Sequence, residues 1–118
     1  MLTNYSSIEQ GDLLAVEIFY SDQSGSKTRP VLVVSNSHYN VNSGNIVVLS
    51  ISSAQIGSKY DVELKEKDLS EGNLKKESKI LTDYPAAISK HIFLKKIGKI
   101  TQNKFKEVKQ KIIELYSL

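Results

Sequence analysis

Arg29-Pro30-Val31-Leu32-Val33-Val34-Ser35 and Ile46-Val47-Val48-Leu49-Ser50-Ile51 are short apolar runs rich in β-branched residues, and Asn40-Val41-Asn42-Ser43-Gly44-Asn45 between them has the composition of a turn. Runs of this length are too short for typical helices, and the pattern predicts two strands folded back on each other. Towards the N-terminus, Tyr20 to Thr28 reads as a long polar loop and Gly11 to Phe19 as a preceding strand. Pro30 then stands at the first residue of its strand, Pro30 to Ser35, where a missing N–H is tolerated. The expected arrangement is an antiparallel meander.

Beyond Ile51, Tyr60 to Leu64 alternates apolar and polar residues as a half-exposed fourth strand does. Lys65 to Lys76 is a charged connection with room for a short helical turn. A fifth strand opens at Lys79-Ile80-Leu81-Thr82, and Pro85 must interrupt it or place it at an edge. Ser89 to Lys96 reads as one or two helical turns ended by Gly98. After the N-cap candidate Thr101, residues Phe105, Val108, Ile112 and Leu115 fall at i, i+3, i+7 and i+10, a single apolar stripe. The chain therefore closes on an amphipathic helix packed on the sheet. Early strands and a late helix define an α+β class, in one domain spanning residues 1–118.

With no cysteine the chain makes neither disulfides nor thiolate metal sites. His38 and His91 are too far apart in sequence to suggest a ligand cluster, so no metal and no cofactor is expected. No apolar run approaches the ~20 residues of a membrane span, and Met1 to Ser7 lacks the apolar core of a signal peptide. A cytoplasmic protein without membrane attachment is the expectation. The net charge of +3 conceals an asymmetry: residues 1–74 carry five basic and nine acidic side chains, and residues 75–118 eleven lysines and four acids. Such a basic half suits a polyanion or an acidic protein partner, or is simply a solvated lysine-rich surface.

Among sixteen basic residues, fifteen are lysines and Arg29 alone is arginine. Its planar fork of donors matches phosphate or carboxylate oxygens, and its charge is permanent near neutral pH. It stands where the polar stretch Ser21 to Thr28 enters the apolar run. It is a candidate anion-binding residue, or a surface arginine with a structural hydrogen bond.

Gly11-Asp12, the polar loop, Thr28-Arg29-Pro30-Val31-Leu32-Val33-Val34, the Asn40 turn and the run ending Ile51-Ser52-Ser53 together resemble the MazF/PemK/Kid family of toxin endoribonucleases. Ser78 before an apolar strand, Asp83-Tyr84-Pro85-Ala86-Ala87-Ile88-Ser89 and Lys96-Ile97-Gly98-Lys99-Ile100 extend the resemblance from about Gly11 through the second half of the chain. It implies a small SH3-like antiparallel β-barrel with a C-terminal helix. It also implies a homodimer that binds single-stranded RNA across its interface, and an acidic antitoxin that blocks the groove.

Metal-independent RNA cleavage through the ribose 2′-hydroxyl requires removal of that proton, stabilisation of an anionic phosphorane and protonation of the leaving 5′-oxygen. By resemblance, Arg29 matches the family's active-site arginine. Ser52 takes the place of a threonine after the third strand, and Asp83 matches an aspartate of Kid-like members that acts as base. Ser53, Tyr84, Thr28 and Tyr20 are the associated substrate contacts, the tyrosines as stacking faces for unpaired bases; Tyr39 is a further candidate. Each also has a plain structural reading: strand-end turns for the serines, a turn before proline for Asp83, packing for Tyr20 and Tyr39. The departures from the family are Gln23 and Ser24 where Glu or His is common, Leu81 in place of an arginine, and Ala86-Ala87 in place of Arg-Thr. They leave Arg29 with a larger share of the chemistry, resting on charge stabilisation because arginine is a poor proton donor. The alternatives are a non-catalytic nucleic-acid or protein-binding module of the same fold, or a gyrase poison of the CcdB type. Sequence preference is expected to lie in residues 20–28 and 53–59.

Overall fold

Apolar side chains at both parities bury β1 (Asp12–Phe19) on two faces at Leu13, Leu14 and Val16, and β2 (Ser26–Val33) on two faces at Val31, Leu32 and Val33. In the computed structural model, which describes residues 8–19, 21–54, 57–92 and 94–118, they form the middle of one antiparallel sheet. The chain continues through helix α1 (Ser37–Asn42), β3 (Asn45–Ser52), β4 (Asp61–Leu64), a 3-10 turn at Glu66–Asp68, β5 (Leu69–Gly72), β6 (Ser78–Ser89), β7 (Leu94–Ile100) and helix α2 (Gln102–Tyr116). The strand order is β4-β6-β3-β2-β1-β7-β5.

The sheet is curled into a half-barrel. Val62 and Leu64 from one edge strand share a buried cluster with Leu13, Leu32, Leu49, Ile80 and Ile100, and Leu69 from the opposite edge strand packs against it. Residues from both edges meet there only if the sheet bends around them. Val108 of α2, fully buried, fills the concave side with Phe105 and Ile112 beside it, so the expected stripe is the packed face of the helix. Burying a valine of this kind stabilises by about 1.5–3 kcal/mol. Thr101 caps α2 by accepting the Lys104 N–H at 3.1 Å, as anticipated. The other face buries Leu14, Val16, Val31, Val33, Ile46 and Val48 under Ile8, Ile88 and Ile92.

Several boundaries differ from expectation. The first connection is shorter than expected, because β2 begins at Ser26; Pro30 is inside the strand, opposite Ala15. The β2–β3 ladder stops at Val31, next to the residue that has no N–H to extend it. Part of the anticipated turn at residues 40–45 is helix, capped by Asn36, whose side chain accepts the Tyr39 N–H at 2.8 Å. Asn40 is buried, its Nδ2 donating to the Ser35 carbonyl at 3.0 Å and its Oδ1 accepting from the Ser35 hydroxyl. Residues 94–96 are not helical: they pair with Val16 to Leu14 as part of β7. Gly98 ends no helix either, since it lies opposite Gly72 with the two backbones in close approach. A Cβ on Gly72, whose φ is +86°, would lie 2.2 Å from the Ile97 carbonyl oxygen.

Candidate active site

Directly paired residues in an antiparallel sheet project to the same face, with Cα atoms about 4.5–5.5 Å apart. Val16 pairs with Arg29, placing Arg29 on the face of Val31 and Val33 but at its exposed end. The β2–β3 ladder runs Val33↔Val48, Leu32↔Leu49, Val31↔Ser50; carried two residues further, the register aligns Arg29 with Ser52. Ser52 pairs in turn with Lys79, and Lys79 with Glu63. One row across four strands therefore reads Arg29, Ser52, Lys79, Glu63. Among the described residues, no side-chain hydrogen bond or ion pair engages the Arg29 guanidinium.

The Ser52 Oγ accepts the backbone N–H of Ala54 at 3.1 Å, the strand-end turn that its sequence context suggested. A hydroxyl that accepts there keeps its own proton to donate, so the turn orients Ser52 as a donor. Ser53 is exposed and lines the same small cavity as Ser52. Thr28 is exposed too, but as the neighbour of Arg29 on a strand it projects to the opposite face. Tyr20 lies outside the described residues. Tyr39 is at the surface on α1, 36% exposed.

Asp83 and Tyr84 sit in a break of the β3–β6 ladder. Leu49 pairs with Pro85 and the next residue, Ser50, with Leu81, so Thr82, Asp83 and Tyr84 are extra residues on β6. A bulge bends its strand and re-aims its side chains. Thr82 turns inward, donating to the Tyr60 carbonyl at 2.8 Å, while Asp83 and Tyr84 are exposed, Tyr84 by 57%. The Asp83 carboxylate has no hydrogen bond among the described residues. It lies level with Leu49 and Ser50, two to three residues along the strands from the Arg29 row. Arg29 and Asp83 therefore stand at two separate places on the sheet and, among the described residues, do not pair with each other.

At the tip of the β1–β2 loop the Ser24 side chain first, and then the Ser24 N–H, which donates to Asp22 Oδ1 at 2.9 Å, hold the Asp22 carboxyl below its ordinary range. Gln23 takes a left-handed conformation there, with φ +62°. The Gly11-Asp12 pair is architectural: Asp12 is buried, its Oδ2 accepts the Glu9 N–H at 2.8 Å, and Lys96 and Lys99 approach its Oδ1 at 3.4 and 3.6 Å.

The basic second half is partly used internally. Lys104 is buried between Asp68 and Glu107 at 3.5 and 2.9 Å, Lys99 reaches Glu9 at 2.5 Å, and Lys90 donates to the Asn40 carbonyl. The charge asymmetry alone therefore overstates the surface available to a polyanion. Lys79 and Glu63, by contrast, were not singled out from sequence, although the alternation in Tyr60 to Leu64 was the signal that Glu63 faces outward.

Residues 9–116 match the model of the PemK-like, MazF-like toxins of type II toxin–antitoxin systems. The chain belongs to that family, whose members include MazF endoribonucleases. A comparison with curated proteins gives no match. Among solved structures, an endoribonuclease from mycobacterial species is similar over 100% of this chain and 97% of its own, at 14% identity and a TM-score of 0.76. MazF in a MazE–MazF complex from Deinococcus radiodurans is similar over 94% of this chain and 97% of its own, at 20% identity and TM-score 0.76. The Mycobacterium tuberculosis toxin MazF-mt6 is similar over 88% and 97%, at 20% identity and TM-score 0.68. At these identities the likeness concerns the fold, and it agrees with the curled antiparallel sheet and C-terminal helix described above.

Proposed function

We propose that this chain is a toxin that cleaves single-stranded RNA through 2′-hydroxyl attack, without a metal ion, as a cytoplasmic homodimer restrained by an acidic antitoxin. The observation that carries the reading is the register that aligns Arg29, whose guanidinium has no side-chain partner among the described residues, with Ser52 at an exposed sheet end. In the reaction the ribose 2′-oxygen loses its proton to Asp83 and bonds to phosphorus, and the bond to the 5′-oxygen breaks; that oxygen takes a proton from solvent water, leaving a 2′,3′-cyclic phosphate and a 5′-hydroxyl, and Asp83 returns its proton to solvent. Arg29 binds the non-bridging oxygens as negative charge grows on them, Ser52 donates a hydrogen bond to one of them, and Asp83 accepts the 2′-proton. Tyr84, beside Asp83, offers a stacking face, and Ser53 a further polar contact.

The solved complexes of related toxins with their cognate antitoxins support an antitoxin as partner. The net charge of +3 suits an acidic one. From Pro85 to Ser89, β6 pairs among the described residues only with β3, which leaves an edge that a second copy can cover.

The test is incubation of the purified protein with a long RNA in EDTA. Cuts that Arg29→Ala reduces by about two orders of magnitude or more are expected. Absence of cleavage by the wild type, or undiminished cleavage by the variant, would overturn the reading.

A further inference from the structure

A small cavity of about 220 Å³ opens between the ends of β3, β4 and β6, on the Arg29 face of the sheet. Ser52, Ser53, Glu63, Lys65, Glu77 and Lys79 line it. Its floor is made of two rows. The first is Ser52, Lys79 and Glu63, the continuation of the row that begins at Arg29. In the second, the β4–β6 register carried one residue past Leu64↔Ser78 sets Lys65 opposite Glu77.

Opposite charges placed directly across strands ordinarily neutralise each other. Among the described residues neither carboxylate is in an ion pair, and both Glu63 and Glu77 line the cavity, so acceptor oxygens are available there. Ser52 joins the cavity to the position assigned to the reacting phosphate. The volume is below the ~300–1,000 Å³ of sites for drug-sized ligands, which suits one flat ring better than a longer group.

Resting on the nuclease reading above, we propose that this cavity is the subsite for the base next to the cleaved bond, and that Glu63 and Glu77 make it select an amino-bearing base over uracil. Cytosine N4 and adenine N6 carry N–H donors that a carboxylate accepts, whereas the corresponding oxygen of uracil is an acceptor that meets a carboxylate unfavourably. Lys79 stands two strands, about 10 Å, from Arg29 and places positive charge beside the backbone of the same nucleotide segment, so it adds affinity without sequence choice. The selection site is thus placed on β4 and β6, away from the β1–β2 loop.

The test uses the whole chain and fluorescently labelled five-nucleotide RNAs of adenine, cytosine or uracil, each with 2′-O-methyl riboses so that no 2′-hydroxyl attack occurs. Wild type is expected to bind the cytosine and adenine forms about tenfold more tightly than the uracil form, within the range that one specific base contact supplies. Glu63→Gln combined with Glu77→Gln, or Glu63→Gln alone if the double variant melts early, should reduce that ratio to about one. Lys79→Ala should weaken all three forms together and leave the ratio intact. Equal binding of all three by wild type, or a ratio unchanged in the glutamine variants, would overturn the proposal. Cleavage of a mixed RNA in EDTA is followed in parallel. Base preference without cleavage overturns the nuclease reading and leaves only a base-selecting cavity; cleavage without base preference overturns the selection and leaves the nuclease reading standing.

Discussion

Pro85 of β6 is paired with Leu49 of β3, while Leu81, four residues earlier on the same strand, is paired with Ser50, the residue immediately after Leu49. That mismatch is what lifts Asp83 and Tyr84 out of the ladder and exposes them beside the Arg29 face. Proline and bulge belong together: past the break β6 has a partner on one side only, where a residue without an N–H costs little.

Asp83→Asn preserves shape and leaves the bulge intact while removing the group assigned to take the 2′-proton. RNA cleavage should fall by about 10²-fold, the scale of general base catalysis. Because the carboxylate is exposed and makes no described hydrogen bond, the melting temperature should not change. Rate and melting curve measured on one preparation separate this role from a turn-forming one, in which the melt would move and the rate per folded molecule would not.

Arg29→Lys keeps the charge and loses the two-pronged geometry. A point charge cannot replace two parallel hydrogen bonds to phosphate oxygens, so cleavage should drop at least about tenfold with folding unaffected. Activity equal to wild type in single-turnover assays would show that only charge matters at this position.

The hydrogen bond from Lys99 Nζ to Glu9 Oε1, at 2.5 Å, lowers the Glu9 pKa and raises that of Lys99; for both groups this bond is the largest cause. Glu9, with its depressed folded-state pKa, contributes stability above the ordinary Glu value of about 4.3 that is lost as pH falls through the folded value. Lys99, with its raised pKa, contributes stability below about 10.4 that is lost as pH rises through its folded value. Glu9→Gln should therefore lower the denaturation midpoint at pH 7, and the difference from wild type should shrink in acid. A gap that stays constant from pH 7 to pH 3 would rule out this pair as its source.

Gly72→Ala places a methyl group against the Ile97 carbonyl and asks an L-residue to hold φ +86°. Strain of about 1–3 kcal/mol should appear as a lowered denaturant midpoint. Separation of β5 from β7 should be visible as faster amide exchange at Leu69 and Ile100, which pair there. Gly57→Ala, with open space around its Cβ position, is the control.

The strands β1, β3 and β4 and the helix α2 were legible from residue pattern because each signal is local: alternation or a 3.6-residue stripe survives wherever the element is placed. Val108, Phe105 and Ile112 faced the core for that reason, and Thr101 capped the helix because its partner is three residues away. Residues 94–96 misled because their polarity suits an exposed helical turn as well as a strand, and only pairing with Val16 to Leu14, far away in sequence, decides for the strand. Gly98 looked like a helix end, and its reason is the backbone of Gly72, 26 residues earlier. The same division holds for the candidate site. Residue chemistry and family resemblance singled out Arg29, Ser52 and Asp83 one by one. Cross-strand register then aligned Arg29 with Ser52, brought Lys79 and Glu63 into their row and held Asp83 apart on a bulge. Those relations join residues up to about fifty positions apart, and they depend on hydrogen-bond ladders and curvature that no local pattern encodes.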